Sequence, residues 1–108
     1  MRDDMERQLV AGKAWVEKTV LRYANEFRVP AEISPRAWSD EQESSDRTKD
    51  RIRLVPLVNG KLRRDKGLVF KVEDLTDIPG TKSLRAELEE TIKKVVKSWA
   101  PKPRRIGF

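Results

Sequence analysis

Arg51-Ile52-Arg53-Leu54-Val55-Pro56-Leu57-Val58-Asn59-Gly60-Lys61-Leu62-Arg63-Arg64-Asp65-Lys66-Gly67-Leu68-Val69-Phe70-Lys71-Val72 is the stretch on which the fold turns. Its apolar residues are mostly β-branched, aromatic or leucine, and several recur at alternate positions, the period of a half-buried strand. Asn59-Gly60 between two such runs signals a two-residue hairpin, because both residue types tolerate positive φ. The reading is three antiparallel strands over 51–58, 61–64 and 68–72, with a second turn at Asp65-Lys66-Gly67. Pro56 has no N–H to give to a ladder, so the first strand should lie at an edge there or carry a bulge. Alternation places Ile52, Leu54, Val58, Leu68, Phe70 and Val72 toward a core. It places Arg51, Arg53, Val55, Leu57, Val69 and Lys71 away from it.

Helical periodicity flanks this region on both sides. Over residues 3–28 there is no proline, and Met5, Leu9, Val16, Val20, Tyr23 and Phe27 fall on one stripe at 100° per residue. Val10, Ala14, Leu21 and Ala24 widen that stripe beyond what packing on a single sheet requires. Pro30 closes the segment. A second helix is expected over 83–99, with Ser83 as N-cap and Leu84, Leu88, Ile92, Val95, Val96 and Trp99 as its apolar face. Its acids, Glu87, Glu89 and Glu90, come early and its lysines, Lys93, Lys94 and Lys97, come late, the order the helix dipole favours.

The fold class is therefore α+β: a long N-terminal helix and a C-terminal helix packed on one face of a small three-stranded antiparallel meander. Residues 1–100 form a single domain, interrupted by an acidic connection at about 30–50 that is expected to be mobile, and 101–108 are a basic tail. Within that connection Ser39–Asp50 holds five acids, two bases and no apolar side chain, so burial cannot repay the entropy of ordering it. Trp38 is its one strong anchor.

Composition narrows the chemistry. The chain has 108 residues, 24 Lys+Arg against 18 Asp+Glu, and neither Cys nor His. That removes thiol nucleophiles, disulfides, cysteine- or histidine-ligated zinc and His-based triads. The acids sit in expected loops and helix starts, where capping and solubility explain them. No enzyme activity, catalytic residue, metal or cofactor is expected. The hydrophilic start and the lack of a long apolar run point to a cytoplasmic protein that does not engage membranes.

The net charge of +6 is unevenly placed. Segments 51–72 and 93–108 each carry +6, whereas 39–50 carries −3 and 73–92 carries −4. A basic hairpin and tail can follow phosphates. The nucleic-acid-binding candidates are accordingly Arg51, Arg53, Lys61, Arg63, Arg64, Lys66, Lys71, Arg104 and Arg105, and the partner is DNA or RNA. The face carrying them lacks the aromatics that stack on unpaired bases. Lys66-Gly67-Leu68-Val69-Phe70-Lys71 begins like an RNA-recognition strand motif, but Leu68 and Glu73 stand where aromatics belong. The order helix, three strands, helix is similar to that of double-stranded-RNA-binding domains in topology alone, without their lysine cluster at the last helix start.

The alternative reading is a protein-interaction module: a homodimer, or an accessory factor bound to a larger complex. Its candidate interface is Val10, Ala14, Trp15 and Leu21. Trp15 falls on the polar side of the first helix, where it is either covered by the connection or held for a partner.

Overall fold

The computed structural model describes residues 2–41 and 51–100. The chain runs through a long helix α1 (Arg2–Glu26), then strands β1 (Ala31–Glu32), β2 (Trp38–Glu41), β3 (Arg51–Leu54), β4 (Leu57–Val58), β5 (Lys61–Leu62) and β6 (Leu68–Lys71). Two helices follow, α2 (Val72–Asp77) and α3 (Lys82–Trp99). Short 3-10 turns occupy Arg64–Lys66 and Ile78–Gly80. The class is mixed α+β, as expected, but the strands form two antiparallel sheets rather than one meander. Their orders are β1-β4-β5 and β2-β3-β6.

The difference originates at Pro56. The expected strand over 51–58 is divided there into β3 and β4, which belong to different sheets. Pro56 is fully buried and offers no donor, so no ladder passes through it. Backbone groups beside it find partners elsewhere. The Val55 N–H donates to the Ala37 carbonyl at 2.9 Å, and the Pro56 carbonyl accepts from the Arg63 N–H at 3.0 Å. Two strands, β1 and β2, lie in the stretch read as a connection; residues 42–50 of that stretch lie outside the described residues. Asn59 and Gly60 form the expected turn, with φ of 55° and 75°, the pattern of a type I′ hairpin.

Alternation sorts the strands largely as expected. Ile52, Leu54, Val58, Leu68 and Phe70 are buried, while Arg51, Val69 and Lys71 are exposed. Val55 departs from the pattern: it is buried, because the backbone leaves the strand at that point. Val72 departs too, since it opens α2 rather than ending a strand.

The core is one cluster. It joins Val16, Val20, Tyr23 and Ala24 of α1 to the inner strand residues, to Leu75 and Ile78, and to Ile92, Val96 and Trp99 of α3. On α3 the expected stripe is the buried one, but the helix begins at Lys82 behind Thr81, so Ser83 lies in its first turn and is not the cap. Arg85 stabilises this end by donating to the carbonyls of Ile78 and Pro79 at 2.8 and 3.0 Å. At its other end α1 stops in a left-handed turn. Arg28 has φ of 58°, its N–H reaches the Asn25 carbonyl, and the Val29 N–H reaches the Ala24 carbonyl at 2.7 Å. This is a Schellman termination, with Val29 buried as its hydrophobic contact.

α2 spans a stretch where no helix is expected, and it packs directly on α1 at Gly12. A Cβ at Gly12 would lie 1.9 Å from the Leu75 carbonyl oxygen. Leu75 itself is fully buried, which contributes about 2 kcal/mol. Trp38 links the sheet to α1: its ring is tilted against Phe70 at 6.0 Å, and its Nε1 donates to Glu17 Oε1 at 3.3 Å.

Tyr23, Arg22 and Glu89 tie α1 to α3. The Tyr23 hydroxyl donates to Glu89 Oε1 at 2.8 Å, and Arg22 is paired with the same carboxylate. Hydrogen bonds from Tyr23, and then from Arg22, hold Glu89 below its ordinary carboxylate range. Burial, followed by the bond to Glu89, raises Tyr23.

Two expectations follow from these contacts. In an unobstructed helix Gly→Ala stabilises by about 1 kcal/mol; Gly12→Ala should instead destabilise by about 3 kcal/mol, since backbone must move. Urea denaturation measures the sign, and a stabilised variant would show that α2 does not rest on Gly12. Glu89 is ionised at a lower pH in the folded protein than in the unfolded one. Its contribution is therefore present above the unfolded pKa and lost as pH falls through the folded one. With the Arg22 and Glu89 side chains 59% and 37% exposed, the contribution is at most about 1 kcal/mol. The stability gap between wild type and Glu89→Gln should shrink below about pH 4; a gap independent of pH would assign it to packing.

Candidate functional site

The outward face of the β2-β3-β6 sheet is built by register. Arg53 lies between Ser39 and Val69, and Arg51 lies between Glu41 and Lys71. Residues directly opposite in a ladder share a face, so Ser39, Arg53 and Val69 form one row and Arg51 and Lys71 belong to the next. Arg51 stands opposite the like charge of Lys71 on one side and opposite Glu41 on the other. Val69 is 42% exposed between these cations.

A hollow of about 350 Å³ sits beyond the first row, in the angle between the two sheets. It is lined by Arg36, Ala37, Ser39, Arg53, Val55, Leu62 and Arg64. Three elements supply the arginines: Arg36 the turn before β2, Arg53 the central strand β3, and Arg64 the 3-10 turn after β5. Its apolar wall is Leu62, 53% exposed, with Val55 and Ala37 buried behind it. The Arg53 stem lies over the backbone at Gly67, where a Cβ would come within 3.2 Å of Arg53 Cγ and Cδ. Among the described residues no carboxylate lines the hollow, and neither Arg36 nor Arg64 forms a salt bridge. Arg53 is itself engaged in a further interaction, which leaves the Arg36 and Arg64 guanidinium groups as the forks of this wall suited to an oxyanion.

A second hollow of about 260 Å³ opens at the β6 side, lined by Arg51, Val69, Phe70, Lys71, Asp74, Leu88 and Thr91. Asp74 of α2 offsets part of its positive charge.

The structure thus draws together Arg51, Arg53, Arg64 and Lys71 on adjoining surfaces and disperses the other basic candidates. Lys61 pairs with Val58 and Leu62 with Leu57, so Lys61 is on the opposite side of β5 from the hollow. Arg63 is engaged by Asp65, donating from Nε and Nη2 at 3.0 and 2.9 Å. This hydrogen bonding holds Asp65 below its ordinary value and raises Arg63. Lys66 is half-buried, and Arg104 and Arg105 lie outside the described residues. The hairpin is also shorter than expected: β5 is two residues long and the chain then coils into the 3-10 turn. Arg36 is an addition. It lies in the presumed connection, and the proline-bounded Pro35-Arg36-Ala37 turn gave no sign that it would return to β3.

On α1 the expected interface residues separate. Val10 and Leu21 are 66% and 39% exposed and Ala14 is exposed with them, whereas Trp15 is half-buried against the core. Among the described residues there is no group of three or more acids, histidines or cysteines placed to hold a metal, and no helix is long and apolar enough to cross a membrane.

No family model matches the chain, and no match to it is found among curated proteins or solved structures.

Proposed function

We propose that this protein is a non-enzymatic binding protein that engages the phosphate backbone of DNA or RNA through the outward face of its β2-β3-β6 sheet. One observation carries the reading: Arg36, Arg53 and Arg64, from three separate elements, line a single hollow, and Arg51 and Lys71 continue the positive surface along the same sheet. A surface with this excess of cations attracts a polyanion. Phosphate contacts of this kind position a strand without reading its sequence. Among the described residues the surface carries no exposed aromatic, which favours duplex backbone over unstacked bases.

A second reading, self-association, is favoured by the exposed apolar ridge of Val10, Ala14 and Leu21 on α1. These residues fall within about 40° of one another around the helix, on a side that the core does not use. A second copy of the chain, presenting the same ridge, would cover it by symmetry.

Two measurements test these readings. Binding of a short labelled duplex, followed by anisotropy across salt concentrations, should weaken linearly in log–log form. Arg51→Gln with Lys71→Gln should reduce the slope by about 0.9 for each phosphate contact removed, while Arg63→Gln, whose side chain is already engaged by Asp65, should leave it nearly unchanged. Absence of binding at low salt overturns the first reading. For the second, Leu21→Glu should convert a wild-type dimer into a folded monomer, since an unpaired charge in a desolvated seam costs several kcal/mol. Sedimentation of the wild type as a monomer at high concentration overturns it.

A further inference from the structure

We infer that the open edge of β6 is a strand-addition site for an extended peptide segment of another protein, one that alternates carboxylate and aliphatic side chains. The inference goes beyond the phosphate-binding reading and does not rest on it. That reading concerns the outward face of the β2-β3-β6 sheet, and this one concerns the sheet's edge. Three observations support it.

The first is the edge itself. β6 is the last strand of its sheet and pairs with β3 on one side. Alternate residues of an antiparallel strand direct their N–H and C=O groups to opposite sides, so two of the four residues Leu68–Lys71 present these groups outward. Among the described residues, no backbone group of a turn or loop is hydrogen-bonded to Leu68, Val69 or Phe70. Edges are commonly blunted by charge. β2, the opposite edge, ends in the consecutive acids Asp40-Glu41. β6 has one charged residue, Lys71, and the exposed Val69 two positions before it.

The second is the space beside this edge. The hollow of about 260 Å³ is lined by three consecutive residues, Val69, Phe70 and Lys71. Consecutive strand residues point to opposite faces, so one hollow that touches all three wraps the edge of the strand. The lining passes from the exposed Val69 and Lys71 to the buried Phe70 and to Leu88, which packs against the core from α3. An added strand would set its own alternate side chains toward these two environments, while its main chain completed the hydrogen bonds of β6.

The third is charge. Arg51 and Lys71 line the hollow from the sheet, and neither forms a salt bridge among the described residues. Asp74, the carboxylate among the described lining residues, comes from α2. A second copy of β6 would bring its own Lys71 to this edge, which like charge opposes. A segment with carboxylates on the outward side and aliphatic side chains toward Phe70 and Leu88 complements both.

The probe is a capped seven-residue peptide alternating Val and Glu, titrated into the isotope-labelled protein and followed by amide chemical shifts. Shifts should centre on Leu68–Lys71 and Thr91. A Val–Lys peptide should bind about fivefold more weakly, the order of one exposed ion pair. Lys71→Glu, at an exposed position, should reverse that preference. N-methylation of one alternate set of peptide amides should abolish binding, and methylation of the other set should spare it, because only one edge of an added strand faces β6. The methylated series is read on wild type and so does not depend on how a variant folds. No shift at β6 at about 1 mM peptide overturns the inference. Equal effects of the two methylated sets also overturn it, since they indicate docking by side chains alone. Equal affinity for the Glu and Lys peptides overturns the acidic partner. Concentration-dependent shifts at Leu68–Lys71 in the free protein that persist in Leu21→Glu assign the edge to a second copy and overturn the inference.

Discussion

A buried residue with no N–H stands at the corner of this fold. Pro56 lies where an extended run of eight residues passes from one sheet to another, and its side chain is fully enclosed. A central strand must exchange hydrogen bonds on both edges, and a proline interrupts one of them. The chain meets this constraint by bending and changing sheets. Buried polar groups near the bend are then satisfied by Ala37 on one side and Arg63 on the other. Those two hydrogen bonds draw the neighbours of Ala37 and Arg63 toward the corner, and Arg36 and Arg64 are those neighbours. The arginine-lined hollow is thus a geometric consequence of how the proline is accommodated.

The opposite side of the sheet supplies the stiffness that such a surface needs. Ile52, Leu54, Leu68 and Phe70 are anchored in the common core, so the residues between them are held facing outward. Trp38 extends this anchoring to β2 through its contact with Phe70 and its hydrogen bond to Glu17. α1 is the element against which the rest assembles. Gly12 lets the α2 backbone approach it closely, and Tyr23 with Arg22 holds α3 through Glu89. One face of each strand thus belongs to the core, and the other carries the cations.

Local pattern accounts for the parts that were legible in the sequence. The α1 and α3 stripes, the Asn59-Gly60 turn and the inward set Ile52, Leu54, Leu68 and Phe70 each follow from periodicity within a single segment. Non-local pairing accounts for the parts that were not. β1 and β2 are too short and too polar to show alternation, and their existence depends on partners that lie in later strands, as in Ala31 with Val58 and Trp38 with Leu54. α2 has six residues and one buried leucine, too few for a helical stripe. Gly12, in the middle of an otherwise uninterrupted helix, was the available sign of a crossing there, since glycine is costly in a helix interior unless something needs the space. For the site, charge density singled out Arg53 and Arg64, which line one hollow. It also included Arg63 and Lys61, because proximity in sequence does not distinguish a residue facing the hollow from one tied to Asp65 or turned to the other side of β5.

The type of cation, beyond the amount of charge, carries information that net charge hides. The described part of α3 ends in Lys93, Lys94 and Lys97, where a solvated ammonium complements the helix dipole and needs no fixed direction. Among the described residues the cations lining the hollow are all arginines, none of them from an α-helix. A guanidinium offers a planar, pre-oriented fork and sheds water more readily than an ammonium, so it is favoured where an oxyanion is to be held in a concavity beside apolar walls. Leu62, Val55 and Ala37 are such walls. If the hollow were only incidental surface, lysine would serve solubility there equally well, as it does on α3. The sorting of arginine to the corner and lysine to the helix therefore separates two sources of the chain's positive charge, one suited to open solvent and one to a concave, partly apolar corner.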